Sequence, residues 1–187
     1  MRHAQSDNSV HASRERPLSD IGRRDSKAVT WVLKDRNITY IASSPYRRSC
    51  DTVKDLADTL GLAIVAYEDL RERTSGKWFE GDFFDFAKKQ WSDFDYSIEN
   101  GESLGEAQER NIRALKKLLK EHGGENIVIG THGTALSTIL NYYYPQFGFE
   151  EFKKIVNFMP FVIRLDFEGE TLLGAQVELV MHKPYKE

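Results

Sequence analysis

The sequence predicts an α/β fold, a three-layer α/β/α sandwich with a mostly parallel central sheet and helices on both faces. Two observations carry that expectation. Short, apolar, β-branched runs alternate with longer segments whose apolar residues recur at helical spacing. Two of the short runs end on small residues followed closely by an arginine or a histidine. In such folds the carboxyl ends of the strands face the ligand crevice.

The elements follow in order. Ile38-Thr39-Tyr40-Ile41-Ala42 is a strand that ends in Ser43-Ser44-Pro45. Arg48 to Leu60 is a helix, with Cys50, Val53, Leu56, Ala57 and Leu60 on one stripe and Gly61 closing it. Leu62 to Ala66 is a second strand. Ser103 to Glu121 is the clearest helix: Ser103-Leu104-Gly105-Glu106 is a capping box, followed by the stripe Ala107, Ile112, Leu115, Leu118 and Leu119. Asn126 to Gly130 is a third strand, and a helix runs from Thr134 to about Tyr143. Phe161 to Phe167 and Leu173 to Val180 form a late hairpin around Glu168-Gly169-Glu170.

Residues 1–187 read as one domain. The stretch 75–100 stands apart as an insertion that mixes acids with Trp78, Phe79, Phe83, Phe84, Phe86, Trp91, Phe94 and Tyr96. It is expected to be a helical excursion packed on the main body, or a cap over the crevice.

Composition excludes several classes. The net charge of -3 gives no basic excess for nucleic acid. No apolar run approaches the roughly 20 residues that span a bilayer, so no membrane partner is expected. The single Cys50 forms no internal disulfide, and no signal peptide is in view, so the cytoplasm is the expected location. Histidine and cysteine spacings suit no metal, and no cofactor is expected.

Four places carry chemistry. Arg2-His3 joins a guanidinium, which binds phosphate oxygens through two parallel hydrogen bonds, to an imidazole that can attack phosphorus. Arg48, with Arg47 as the neighbouring alternative, starts a helix at a strand's carboxyl end, where backbone N–H groups favour an anion. His132, in Thr131-His132-Gly133, sits between strand and helix, where it can donate to phosphoryl oxygens; Gly133 would let the backbone come close. Glu72, in a charge run, could exchange a proton with a leaving oxygen and a water.

Five motifs, Arg2-His3-Ala4, Ser43-Ser44-Pro45-Tyr46-Arg47-Arg48, Leu70-Arg71-Glu72, Gly101-Glu102-Ser103 and Thr131-His132-Gly133, stand in the order of the histidine phosphatase superfamily, the phosphoglycerate mutase-like group with its Arg-His-Gly signature. The resemblance covers nearly the whole chain, and Pro17 to Gly22 resembles the lead into that family's first helix. It implies that His3 is the nucleophile, Arg2 and Arg48 bind phosphate, Glu72 donates the proton and His132 is the second phosphate-pocket histidine. It implies a packing position for Thr52. Ala4 replaces the usual glycine, and Ser9, a candidate phosphate contact, stands where mutase-like members often carry asparagine. The family's first strand directly precedes Arg-His, and only Met1 stands there. The expectation is a start taken too late or a shortened chain, with weak order around residues 1–15, Arg2 and His3 freed from their anchor, and poor activity.

The implied activity is metal-independent hydrolysis of small-molecule phosphomonoesters through a phosphohistidine, because the chain is compact and lacks the added segments of the mutases. Phosphoglycerate mutase-type transfer is the alternative, and non-catalytic binding of a phosphorylated ligand a third. The bisphosphatase, cobalamin-pathway phosphatase and protein phosphohistidine phosphatase branches all stay open. The expected partner is a small phosphorylated metabolite, with phosphate, sulfate or vanadate as pocket ligands. The late hairpin is the expected edge of a homodimer.

Overall fold

The computed structural model describes residues 1–76 and 82–183, and its architecture is the expected layered α/β arrangement. The elements run α1 (Asp20–Leu33), β1 (Ile38–Ser43), α2 (Arg47–Leu60), β2 (Ile64–Ala66), a short 3-10 turn (Glu68–Leu70), α3 (Phe83–Ser92), α4 (Leu104–Glu121), β3 (Asn126–Gly130), α5 (Gly133–Tyr143), α6 (Phe149–Ile155), β4 (Phe158–Glu168) and β5 (Thr171–His182). Among the described residues no helix is long and apolar enough to cross a membrane.

Strand alternation sends successive side chains to opposite layers. Ile41 and Val128 face α1 and α2, where they meet Val29, Leu33, Val53 and Leu56. Ala42 and Ile127 face the other way, onto Ala114 and Leu118 of α4. Helices therefore cover both faces of the parallel set β2-β1-β3. β4 and β5 pair antiparallel, and β5, the outer strand, exposes Leu173, Val177 and Val180.

Local chemistry explains the boundaries. Ser103 caps α4 with the full reciprocal box to Glu106. Gly61, at φ 67°, ends α2 in the left-handed region that glycine tolerates. β2 begins two residues later than expected because the Leu62 amide is spent on the Ala57 carbonyl (2.9 Å), closing α2. The short α6 was not anticipated; it buries Phe152 and Ile155. Within the aromatic insertion, α3 packs Ala87, Phe83, Phe84 and Trp91 against Phe152 and Val156 near α6. Trp78 and Phe79 lie outside the described residues.

The chain start departs from expectation. Arg2 bridges the two halves of the sheet, parallel to Thr131 and antiparallel to Phe161. The Arg2 amide donates to the Phe161 carbonyl (2.8 Å), the His3 amide to the Thr131 carbonyl (3.1 Å), and the Thr131 amide to the Met1 carbonyl (2.9 Å). The Met1 amine reaches the Ile129 carbonyl at 2.7 Å. Arg2 and His3 are thus anchored rather than freed, because a two-residue stub already completes the ladder at the crevice end of the sheet. Beyond Met1 a cavity of about 570 Å³ separates β3 from β4, lined also by Leu33, Leu115, Leu119 and Ile139.

Candidate active site

The carboxyl ends of β1 and β3 lie side by side, with Ser43 paired to Gly130. Arg2-His3 sits next to β3's end, and α2 and α5 both begin at this edge. Topology alone therefore gathers Arg2, His3, Arg48 and His132, and all four are buried.

His3 is held at both ring nitrogens. Nδ1 contacts the Ala4 carbonyl (2.6 Å), and Nε2 accepts from Arg48 Nε (3.1 Å). A carbonyl accepts and a guanidinium donates, so these partners assign the proton to Nδ1 and leave the lone pair on Nε2. Arg48 is fixed by Nη1 donating to the Ser13 carbonyl (2.6 Å) and lies over the Tyr46 ring at 5.0 Å. Arg47 is exposed and pairs with Asp51, so the fold selects Arg48.

His132 is fully buried, 5.2 Å from His3 between ring centroids. Its Nε2 lies 2.7 Å from the Ser44 hydroxyl, which accepts from the Tyr46 amide (3.2 Å). Ser44 keeps its own proton to give to Nε2, and in the tautomer that takes it the His132 hydrogen stands on Nδ1. That Nδ1 is buried with no partner among the described residues, and so is Arg2 Nε. Two donors are thus left unspent in the crevice. The far end of Arg2 is tied down through Nη1, which donates to the carbonyls of Ile155 (2.9 Å) and Val156 (2.6 Å).

Burial, reinforced by the Arg48 and Arg2 charges, holds His3 well below the usual imidazole value of 6.5. His132 is lowered for the same first reason, with His3, Arg48 and Arg2 adding to it. Burial also brings Arg2 down to about 10, while the Glu72 carboxylate works in the opposite sense. The crevice therefore combines neutral imidazoles with two guanidinium groups.

Glu72 lies at the start of α5. Its Oε1 accepts from the amides of Arg73 (2.8 Å) and Ala135 (3.1 Å), and its Oε2 from Thr134 (3.1 Å). A carboxylate complements a helix N-terminus there. The segment before it is tied to β3 by the Thr131 hydroxyl donating to the Leu70 carbonyl (2.9 Å).

Two expectations need correction. Ser9 is exposed, and both its amide (3.0 Å) and its hydroxyl (2.7 Å) are taken by Asp7 Oδ1, so its polar groups serve the loop's own turn. Thr52 does more than pack: its hydroxyl accepts from the Ala4 amide (2.9 Å) and donates to the Arg48 carbonyl (2.6 Å), linking nucleophile segment to α2. Gly133 is placed at the site, but what its missing Cβ accommodates is the Arg2 guanidinium, 3.2 Å from an ideal Cβ position. Ser44 stands in the sequence as the end of the first strand, and nothing in its spacing from His132 signals the contact. No cluster of three or more metal-ligating side chains exists among the described residues.

The family model described as the histidine phosphatase superfamily (branch 1) matches residues 1–174. Phosphoglycerate mutase-like protein 4 of Arabidopsis thaliana is 31% identical over 165 residues, covering 82% of this chain and 70% of its own length. The probable phosphoglycerate mutase GpmB of Yersinia pestis (strain Pestoides F) is 29% identical over 140 residues, which cover 71% of this chain and 65% of that protein. The chain thus spans about two thirds of these relatives' lengths. A solved structure of a mycobacterial glucosyl-3-phosphoglycerate phosphatase in complex with VO3 superposes with a TM-score of 0.72 at 20% identity, over 98% of this chain and 97% of that one.

Proposed function

Since the chain belongs to the histidine phosphatase superfamily (branch 1), we propose that it is a metal-independent phosphatase that hydrolyses small-molecule phosphomonoesters through a phosphohistidine on His3. The observation that carries this reading is the Nε2 lone pair of a neutral, buried His3, facing Arg48 and adjoining a second neutral histidine. A neutral imidazole is a nucleophile; an imidazolium is not.

In the first step His3 Nε2 forms a bond to phosphorus as the ester oxygen leaves. Arg48 Nε, Arg2 Nε and His132 Nδ1 donate to the phosphoryl oxygens as charge develops on them. Glu72 is the group placed to pass a proton to the departing alkoxide. Its Oε2 accepts one amide only and keeps a second direction free. In the second step the Glu72 carboxylate takes a proton from water, the water oxygen attacks phosphorus, and phosphate leaves with His3 restored. The two arginines meet the phosphoryl charge, so no step is routed through a metal.

The proposal takes residues 1–187 as one domain, with 75–100 as a cap that sets substrate preference. In support, Phe86 of α3 lies 5.1 Å beneath the Arg73 guanidinium, one residue from Glu72. Inorganic phosphate, sulfate and vanadate are the expected pocket ligands, and Arg2, Arg48 and His132 the groups that bind them. The place of action is proposed to be the cytoplasm.

The test is p-nitrophenyl phosphate hydrolysis by the wild type and by His3→Ala, with trapping of an acid-labile phosphoenzyme. Equal rates in the two proteins would remove the nucleophile from the reading. A second reading, phosphoryl transfer on phosphoglycerate, is favoured by the mutase names of the curated relatives. Isomerisation of 3-phosphoglycerate faster than its hydrolysis would establish it instead. A panel of phosphorylated metabolites then identifies the substrate.

A further inference from the structure

From the end of the 3-10 turn at Leu70 to residue 76 the backbone forms no helix or strand. Such a segment has no ladder of its own, so its position must come from other groups. It nevertheless carries Glu72, whose carboxyl has to meet the leaving oxygen closely.

Besides the Thr131 hydroxyl and the first amides of α5, the groups that hold it converge on one ion pair. Arg110 of α4 grips Glu102 through two parallel hydrogen bonds, Nε to Oε1 (2.6 Å) and Nη2 to Oε2 (2.7 Å). Its remaining nitrogen, Nη1, donates to the carbonyls of Asp69 (2.9 Å) and Arg71 (2.7 Å), just before Glu72. Just after Glu72, the Thr74 amide donates to Glu102 Oε2 (3.2 Å) and the Glu102 amide to the Thr74 carbonyl (2.9 Å). Arg71 adds Nη1 to Glu102 Oε2 at 2.8 Å. Side-chain exposure of the pair is 6% for Arg110 and 11% for Glu102. Burial pushes the Glu102 carboxyl up, but Arg110 and Arg71 outweigh it and hold it at about 2.

Glu102 also sits at the root of the aromatic insertion. Gly76, at φ 85°, crosses Gly101 so closely that an added Cβ would stand 2.7 Å from the Gly101 nitrogen. Buried Gln90 of α3 donates to the carbonyls of Tyr96 (3.1 Å) and Glu102 (3.2 Å). The insertion thus leaves and returns at one crossing, with Glu102 beside it.

We infer that Glu102 and Arg110 are positioning residues for the proton donor: they fix the backbone on both sides of Glu72 and hold its carboxyl where the leaving oxygen departs. This rests on the reading of Glu72 as donor. Neither residue touches the phosphoryl group. Their loss should therefore slow protonation and spare phosphate binding.

Leaving-group dependence tests this. p-Nitrophenolate departs with little help, whereas the alkoxide of β-glycerophosphate needs the proton. kcat/KM reports the phosphorylation step for each substrate. Glu102→Gln is expected to lower kcat/KM by about 10- to 100-fold on β-glycerophosphate, the scale of a displaced catalytic group, with a much smaller change on p-nitrophenyl phosphate and unchanged inhibition by phosphate. Glu72→Gln should give the same split, and the double variant should be no worse than Glu72→Gln alone. Where Glu102→Gln fails to fold, Arg110→Lys carries the test, since it keeps the charge and loses the fork. Equal losses on both substrates in Glu102→Gln, beside a split in Glu72→Gln, would overturn the positioning role. No split in Glu72→Gln would overturn the donor reading itself, and the inference with it.

Discussion

Arg48 Nε donates to His3 Nε2 across 3.1 Å, so a guanidinium occupies the lone pair that is to attack phosphorus. The same contact lowers the affinity of His3 for protons and orients its ring. A phosphoryl group entering the crevice offers Arg48 a better acceptor and releases the lone pair at the same time.

Arg48→Ala is therefore expected to lose about 10²-fold or more in kcat/KM, from one donor to the developing charge. Arg48→Lys should not restore it, because an ammonium cannot reach His3 and the Ser13 carbonyl in one planar fork. Steady-state kinetics with p-nitrophenyl phosphate and vanadate inhibition check both; recovery by lysine would contradict the fork.

Stability should depend on pH through the two buried imidazoles. In the unfolded chain both take up protons near 6.5, whereas in the fold burial first, and the arginines next, keep them neutral well below that value. Below 6.5 the unfolded state binds protons that the native state refuses. The contribution of these two groups is full above 6.5 and falls by about 1.4 kcal/mol per histidine for each unit of pH below it, while the buried Met1 amine, lowered from 8.0 to about 5, adds its own loss from pH 8 downwards. Glu102 adds a separate loss between its unfolded value of 4.5 and about 2. Urea midpoints from pH 8 to pH 5 read the first window, and His132→Asn should flatten the slope.

Ser44→Ala tests the orientation of His132. Removing the hydroxyl leaves a buried imidazole nitrogen without its 2.7 Å partner, at a cost of about 1–3 kcal/mol. It also frees the ring to adopt the other tautomer, so kcat should fall while thermal melting registers the lost bond. An unchanged kcat would show that Ser44 does not set the tautomer.

Thr52→Val keeps the shape and removes the hydroxyl between Ala4 and Arg48. The buried Ala4 amide loses its acceptor, again about 1–3 kcal/mol. Because Ala4 follows the nucleophile, activity should drop together with melting temperature. Methyl-for-hydroxyl tolerance in both readouts would return Thr52 to a packing role.

Much of this molecule is legible in the sequence because the relevant signals are local. The capping box at Ser103, the Gly61 stop and the β-branched runs of β1 and β3 each depend on neighbours in the chain, and each stands where expected. Arg2, His3, Arg48 and His132 meet because strand ends are shared places in such folds. What escaped was set by distant partners. Ser44 finds His132 88 residues away, and Thr52 finds Ala4 at a separation of 48. Ser9 looked like a ligand contact, yet the nearer Asp7 claimed it. Glu102 sat in a motif already explained by the Ser103 cap, and its role depends on Arg71 and Arg110.

The buried start of the chain has a consequence for anyone handling the protein. Burial takes the Met1 amine down to about 5, and the cavity between β3 and β4 lies directly beyond it. At neutral pH that amine is an uncharged nucleophile that solution reagents do not reach. Amine-selective dyes should mark the lysines of the folded protein and spare the terminus until urea is added.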